Sequence, residues 1–156
     1  MMKLDIPGFG RLHADHLVTD YTGTLSQDGK LLPGVTELLE ELGRSLTIHV
    51  LTADTFGKAR MELDGLPCTV QVLSGDDVAE QKERYIGTLG VERVVAMGNG
   101  NNDRLMLKAA RLGIAVIEGE GCAVNALSNA DIVVRTSREA LKLLLNPKRC
   151  LATLRF

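Results

Sequence analysis

Short apolar runs rich in Val, Ile and Leu recur along this chain, and each is followed by a stretch whose apolar residues fall three and four apart. The runs lie at 12–19, 46–51, 69–73, 93–97, 113–117 and 131–134, and they stop at polar or turn-forming residues rather than continuing into helix. Several carry apolar residues at consecutive positions, a pattern that suits strands buried on both faces. The stretches at 35–42, 55–63, 79–89, 103–112, 123–127 and 138–145 read as crossover helices; Leu38, Leu39 and Leu42 show the spacing that builds one apolar stripe. Strand and helix in alternation predict an α/β chain with a mostly parallel sheet and helices on both faces. Residues 1–11 contain Ile6-Pro7-Gly8-Phe9-Gly10, a turn signal, and should form a hairpin strand leading antiparallel into the first buried strand. The tail, 146–156, ends in alternating apolar residues; it should add an edge strand to its own sheet or else reach into a second copy as a homo-oligomer.

The chain has 156 residues, 45% of them hydrophobic, which excludes a disordered tail and predicts one domain over 1–156 with a real core. Lys and Arg number 18 against 20 Asp and Glu, and there is no Trp, so neither a basic stripe nor a stacking platform supports a nucleic-acid partner. No apolar run approaches the roughly 20 residues of a membrane span. The first residues, Met1-Met2-Lys3-Leu4-Asp5, lack a signal-peptide apolar region, so a cytoplasmic protein without membrane contact is expected. Cys68, Cys122 and Cys150 are odd in number and widely spaced, which argues against a disulfide framework or a thiolate metal site.

Ligands of an open parallel sheet bind beyond the carboxyl ends of the strands, so the residues just after each apolar run carry the functional information. After the first run come Asp20, Tyr21, Thr22, Gly23 and Thr24. Asp20 would stand at the tip of a buried strand, and Gly23 would let the backbone turn tightly and present N–H groups to an anion. A carboxylate so placed is a candidate nucleophile; the structural alternative is an Asp that caps a turn. After the second run, the Thr52 hydroxyl and the N–H groups near Ala53, ahead of the next helix, would hold phosphate oxygens. Helix capping by Asp54 or Thr55 is the alternative there. After the fourth stands Gly98-Asn99-Gly100-Asn101-Asn102-Asp103, whose side-chain oxygens suit Mg²⁺. A dinucleotide fingerprint is excluded, because its third Gly position holds Asp103 and the loop does not follow the first strand. Asp20, a phosphate and Asp103 would concentrate negative charge that one Mg²⁺ only partly offsets. A lysine is therefore expected nearby: Lys82 at the start of the third helix, with Lys58 in reserve.

In order and spacing these segments resemble the haloacid dehalogenase superfamily of aspartyl-phosphate enzymes. Asp20-Tyr21-Thr22-Gly23-Thr24-Leu25 is similar to the Asp-Lys-Thr-Gly-Thr-Leu motif of P-type ATPases within that superfamily, Thr52-Ala53-Asp54 to its Thr-Gly-Asp, and 98–103 to its Gly-Asp-Gly-x-Asn-Asp. The likeness continues through 107–116 and 130–133, so it spans most of 12–134. About 20 residues separate the Thr-Gly-Thr loop from the second strand, too few for a cap. The chain thus resembles the soluble, capless P-type-ATPase-like phosphatases. That resemblance implies a Rossmann-like core and a Mg²⁺-dependent phosphohydrolase acting on a small phosphorylated substrate. Asp20 would attack phosphorus, with Thr22 beside it as the second residue of the catalytic loop. Mg²⁺ would be held by the Asp20 carboxylate, the Thr22 carbonyl, Asn99 and Asp103. Thr52 and Lys82 would bind phosphoryl oxygens together with Gly23 and Ala53, and Asn102 would brace the loop beside the phosphate.

Two positions depart from the superfamily's pattern. Most of its phosphatases carry a second Asp two residues after the nucleophile, as general acid and then base; here Thr22 stands there. Positioned acid–base help is worth about 10²–10⁴-fold, so slow turnover and a long-lived phosphoenzyme are expected. Asn99 replaces the usual metal-binding Asp and removes one negative charge. Together these leave a second class of reading, a catalytically degenerate module that binds phosphate or a partner without turnover. A receiver-like phosphoacceptor would need an acidic pair near the start of the chain, and Asp5 and Asp15 are poorly placed for it. His13, His16 and His49 read as structural or surface residues, and 26–30 as a small turn partly covering the site. Glu118-Gly119-Glu120-Gly121 follows the fifth run and so falls at the active-site edge, where two acids could repel anionic substrates or contact a cation, but reads first as a flexible loop before a helix.

Overall fold

The computed structural model describes residues 1–54 and 56–156; Thr55, expected at the start of a helix, lies outside the described residues. The chain opens with β1 (Met2–Ile6) and β2 (Gly10–Ala14), an antiparallel hairpin that forms its own two-stranded sheet. β3 (His16–Asp20) follows, so the single strand predicted over 12–19 is two strands. The break falls at Asp15. Its N–H donates to the Arg93 carbonyl, its carbonyl accepts from the Thr47 N–H, and its carboxylate pairs with Arg93. These bonds tie Asp15 to the start of β6 and to the residue before β8, so the chain passes at this residue from the hairpin to the main sheet.

β4 (Ser26–Gln27) and β5 (Lys30–Leu31) form a small hairpin whose turn residues Asp28 and Gly29 have φ of 52° and 81°, the geometry a two-residue hairpin loop requires. Helix and strand then alternate through α1 (Val35–Leu42), β6 (Thr47–Thr52), α2 (Lys58–Glu62), β7 (Cys68–Val72) and α3 (Val78–Leu89). The second half contains β8 (Val94–Gly98), α4 (Arg104–Ala109), β9 (Leu112–Val116), α5 (Val124–Ser128), β10 (Ile132–Val134), α6 (Ser137–Leu145) and α7 (Pro147–Leu154). A 3₁₀ turn at Asn101–Asp103 leads into α4.

The main sheet has six parallel strands in the order β10-β9-β8-β3-β6-β7. From β3 the chain works outward through β6 and β7, and α3 then carries it back to β8 on the other side. The order therefore reverses between β3 and β8, and the loops that leave those strands open a crevice at their carboxyl ends. Leu17, Ile48, Val50, Val95 and Met97 face one core, built with α1, α6, α7 and the β1–β2 hairpin. Val18, Leu51, Val94 and Ala96 face the other, with residues of α3 and α4. Neighbouring residues of one strand thus serve opposite cores, which is why apolar residues fall at consecutive positions.

The tail corrects an expectation. The spacing over 150–156 predicts an edge strand, yet this segment forms α7. Pro147 supplies the first helical position, where its fixed φ suits a helix and its missing N–H costs nothing. Cys150, Leu151 and Leu154 then share one side, packed into the core that includes residues of β1 and α6.

Candidate active site

β3 delivers Asp20 to the crevice between two strands that hold it on either side, β6 and β8. The backbone turns back at once. The Tyr21 carbonyl accepts the N–H groups of Thr24, Leu25 and Ser26 at 3.2, 3.0 and 3.0 Å, and the Gly23 N–H donates to the Ser26 carbonyl at 3.0 Å. Gly23 lies at φ +76°, and a β-carbon there would stand 2.4 Å from Asn99 Nδ2 and 2.6 Å from Glu120 Oε2. Only glycine meets both demands. Closing this turn spends the Gly23 N–H on Ser26, so the expected donation of that group to a phosphate is corrected.

Lys82, fully buried in α3, donates from Nζ to Asp20 Oδ1 and to Asp103 Oδ1 at 2.7 Å each. Asp103 Oδ2 accepts the N–H groups of Asn99 and Gly100 at 3.0 and 2.8 Å, which bends the loop around that carboxylate. Gly98 permits this, since a β-carbon there would lie 2.5 Å from Asp103 Cγ. Thr24 Oγ1 is 3.5 Å from Asp20 Oδ2 and 3.2 Å from Asn99 Oδ1, a second link between the two loops. Burial and the nearby Asp103 push the Asp20 carboxyl up to about 7, outweighing the pull of Lys82. Burial works to lower the Lys82 ammonium, but Asp20 and Asp103 together raise it above its ordinary value. Both shifts have one source: a single ammonium serves two carboxylates, so the lysine is over-compensated and Asp20 under-compensated.

Above this buried cluster lies a cleft of about 400 Å³, lined by Asp20, Thr22, Ala53, Asp54, Asn99, Gly100, Asn102 and Glu120. Its donors are oxygens. Among the described residues no group of three His, Cys, Asp or Glu side chains converges into a metal cage. An oxygen set with few protein ligands suits Mg²⁺, which keeps several of its waters, better than a soft transition metal.

No family model matches the chain. It is 50% identical over 64 residues to an uncharacterized protein of Methanocaldococcus jannaschii, a span covering 41% of this chain and 69% of that protein. The chain belongs to that protein's family. Solved structures extend the likeness along most of its length. The 3-deoxy-D-manno-octulosonate 8-phosphate phosphatase of Moraxella catarrhalis, solved with magnesium, phosphate and KDO, matches with a TM-score of 0.71 at 17% identity over 92% of this chain and 95% of its own. A haloacid dehalogenase family hydrolase of Streptomyces avermitilis gives 0.69 at 19% identity over 87% of each chain. A phosphoserine phosphatase gives 0.67 at 17% over 84% and 99%. The fold shared with these chains is the haloacid dehalogenase fold, with a mostly parallel sheet and no insert larger than the β4–β5 hairpin between β3 and α1 among the described residues.

Within this haloacid dehalogenase core the expected residues divide by depth. Asp20, Thr22, Ala53, Asn99 and Asn102 line the cleft, whereas Thr52, Lys82 and Asp103 lie buried beneath it. Asp103 was a candidate metal ligand, but both of its oxygens are engaged by Lys82 and by loop N–H groups. The Thr52 hydroxyl oxygen accepts the Asp54 N–H at 3.1 Å. Asp54 accepts the N–H of Ala59 at 2.9 Å and of Phe56 at 3.0 Å, which holds its carboxyl below the usual range and gives it the capping role. Lys58, the reserve lysine, lies against Gly29 of the β4–β5 turn. His16, His49 and Tyr85 form a hydrogen-bonded chain of 3.1 and 2.9 Å between β3, β6 and α3, and none of them lines the cleft.

Sequence reasoning missed one contributor and left the part of another open. Thr24 belongs to the turn motif, but its reach to Asn99 depends on strand order. Glu120 reads as part of a flexible loop, yet Asn99 holds that loop: Asn99 Nδ2 donates to the Gly121 carbonyl at 3.1 Å, and the Asn99 carbonyl accepts the Ala123 N–H at 2.7 Å. The available signal was its place after β9, at the same sheet edge as Asp20.

Proposed function

We propose that this chain is a Mg²⁺-dependent phosphohydrolase working through an aspartyl-phosphate on Asp20. The observation that carries this reading is the shared ammonium: Lys82 lies 2.7 Å from Asp20 and 2.7 Å from Asp103 at the floor of an open cleft. Two buried carboxylates on one cation are costly to maintain, and the uncompensated one faces solvent where a phosphoryl group would enter. The magnesium and phosphate held by the Moraxella neighbour support the same assignment.

In the first step an Asp20 oxygen bonds to phosphorus as the bond to the leaving group breaks. In the second, water bonds to phosphorus, the bond to Asp20 breaks, and phosphate departs. Lys82, Thr52 and the Ala53 N–H would hold phosphoryl oxygens, and Asn102 would brace the loop beside them. Asp20, the Thr22 carbonyl and Asn99 would hold Mg²⁺, whose charge offsets repulsion between carboxylate and phosphate. Asp103 contributes by fixing Lys82 and the loop 99–103. Thr22 has no carboxylate to offer, so the loop that carries Asp20 supplies no acid or base of its own and turnover is slow. The substrate is a small phosphate ester or acyl phosphate, handled by one domain over 1–156. The free thiols of Cys68, Cys122 and Cys150 fit a reducing, cytoplasmic setting.

The neutral residues Thr22 and Asn99 favour one competing reading, a module that binds phosphate without turnover. Incubation with acetyl phosphate or an aryl phosphate plus Mg²⁺, followed by acid quench and intact mass, separates the two. We expect a trapped acyl-phosphate that Asp20→Asn abolishes, with slow phosphate release. Neither adduct nor release above the Asp20→Asn blank would overturn the enzymatic reading.

A further inference from the structure

Hydrolysis of an aspartyl-phosphate is fastest when a positioned base takes a proton from the attacking water, and the loop carrying Asp20 has none, because Thr22 holds the nearby position. Besides Asp20, the cleft is lined by two carboxylates, Asp54 and Glu120. Asp54 is committed, with each oxygen accepting a backbone N–H, from Phe56 and from Ala59. Glu120 keeps its capacity: among the described residues Oε1 meets only the Asp28 N–H, at a long 3.4 Å, and Oε2 lies over Gly23, 2.6 Å from where a β-carbon would stand.

Its loop is nonetheless positioned. Asn99 grips it at Gly121 and Ala123, and the Gln27 carboxamide fills the space over Gly119, 2.4 Å from the β-carbon position. Two segments far apart in sequence, the loop after β8 and the β4–β5 hairpin, therefore set this carboxylate at the cleft next to the Thr22–Gly23 turn.

We propose that Glu120 is the general base of the second step, an assignment that rests on the phosphohydrolase reading. Its carboxylate takes a proton from water as the water oxygen bonds to phosphorus. The phosphorus–oxygen bond to Asp20 breaks, its electron pair returns to the Asp20 carboxylate, and the proton on Glu120 passes to solvent when phosphate leaves. The loop after β9 would thus supply from across the cleft the group that the loop after β3 lacks.

The test follows phosphoenzyme formed from acetyl phosphate and Mg²⁺, with its decay timed by intact mass after removal of the donor. Glu120→Gln should slow decay about 10²-fold or more while leaving formation and Mg²⁺ affinity within about twofold, and Glu120→Asp should fall between. Decay indifferent to Glu120 overturns this proposal alone. So does a variant with weakened Mg²⁺ binding and equally slowed formation, which would make Glu120 a metal ligand. A wild-type protein that forms no phosphoenzyme removes the phosphohydrolase reading, and this proposal with it.

Discussion

Lys82 neutralises two carboxylates that would otherwise face each other in the interior, and its removal should be felt in stability before it is felt in chemistry. With Lys82→Gln, the Asp20 carboxyl, already raised by burial and by Asp103, loses the cation that pulls it down and binds its proton more tightly still in the folded protein. Below about 7 Asp20 keeps its proton in the folded state of both proteins, so the extra penalty opens above that value and grows as pH rises towards the variant's still higher one. Urea unfolding should therefore show a loss that is small at acid pH and grows above about pH 7, towards about 3–5 kcal/mol. A deficit that does not change with pH would show that the ammonium is not what balances these acids. At this scale the residue types were legible: a strand-end Asp, an Asn/Asp loop and a helical Lys are chemically marked. The role of Glu120 was not, because nothing within a few residues of it distinguishes a held loop from a loose one.

At the level of elements, the turn after β3 joins two requirements that separate cleanly by substitution. Gly23 needs a left-handed backbone at φ +76° and has no room for a side chain, while Gly65 needs a similar backbone at φ +77° with nothing within 4 Å. Gly65→Ala should cost only the backbone penalty of about 1–2 kcal/mol. Gly23→Ala should cost more, about 2–4 kcal/mol, because Asn99 and Glu120 must also move, and it should lower phosphoenzyme formation. Equal losses for the two variants in denaturant unfolding would mean that the Gly23 loop adapts freely. Periodicity identified most helices and strands, such as Val35–Leu42, because an apolar stripe is a local property. It failed at the tail, where apolar residues at 150, 151, 154 and 156 suit either period, and Pro147 with packing around β1 decides for helix.

For the molecule as a whole, the crevice exists because strand order reverses between β3 and β8. A ligand that bridges the two halves should hold them together. Mg²⁺ with beryllofluoride, which mimics a phosphoryl group on a carboxylate, should stabilise the native protein by about 2.7 kcal/mol at 100 times its dissociation constant. For a chain of this size that corresponds to roughly 5–10 °C in the unfolding midpoint. Asp20→Asn should abolish the shift, and a shift retained in that variant would place the ligand elsewhere.

Apolar periodicity and the loop motifs were enough to establish an α/β chain, its order of elements, and Asp20, Thr52, Lys82 and the 98–103 loop as the chemically marked points, since each is carried by residues close together along the chain. The sheet order, the break at Asp15, the helical tail, the Gly23 N–H turned inward to Ser26 and the hold of Asn99 on the Glu120 loop came only with the folded chain. Each of these depends on which distant segments become neighbours, and in a parallel sheet that choice is made by crossovers and core packing, not by the residues that end up touching.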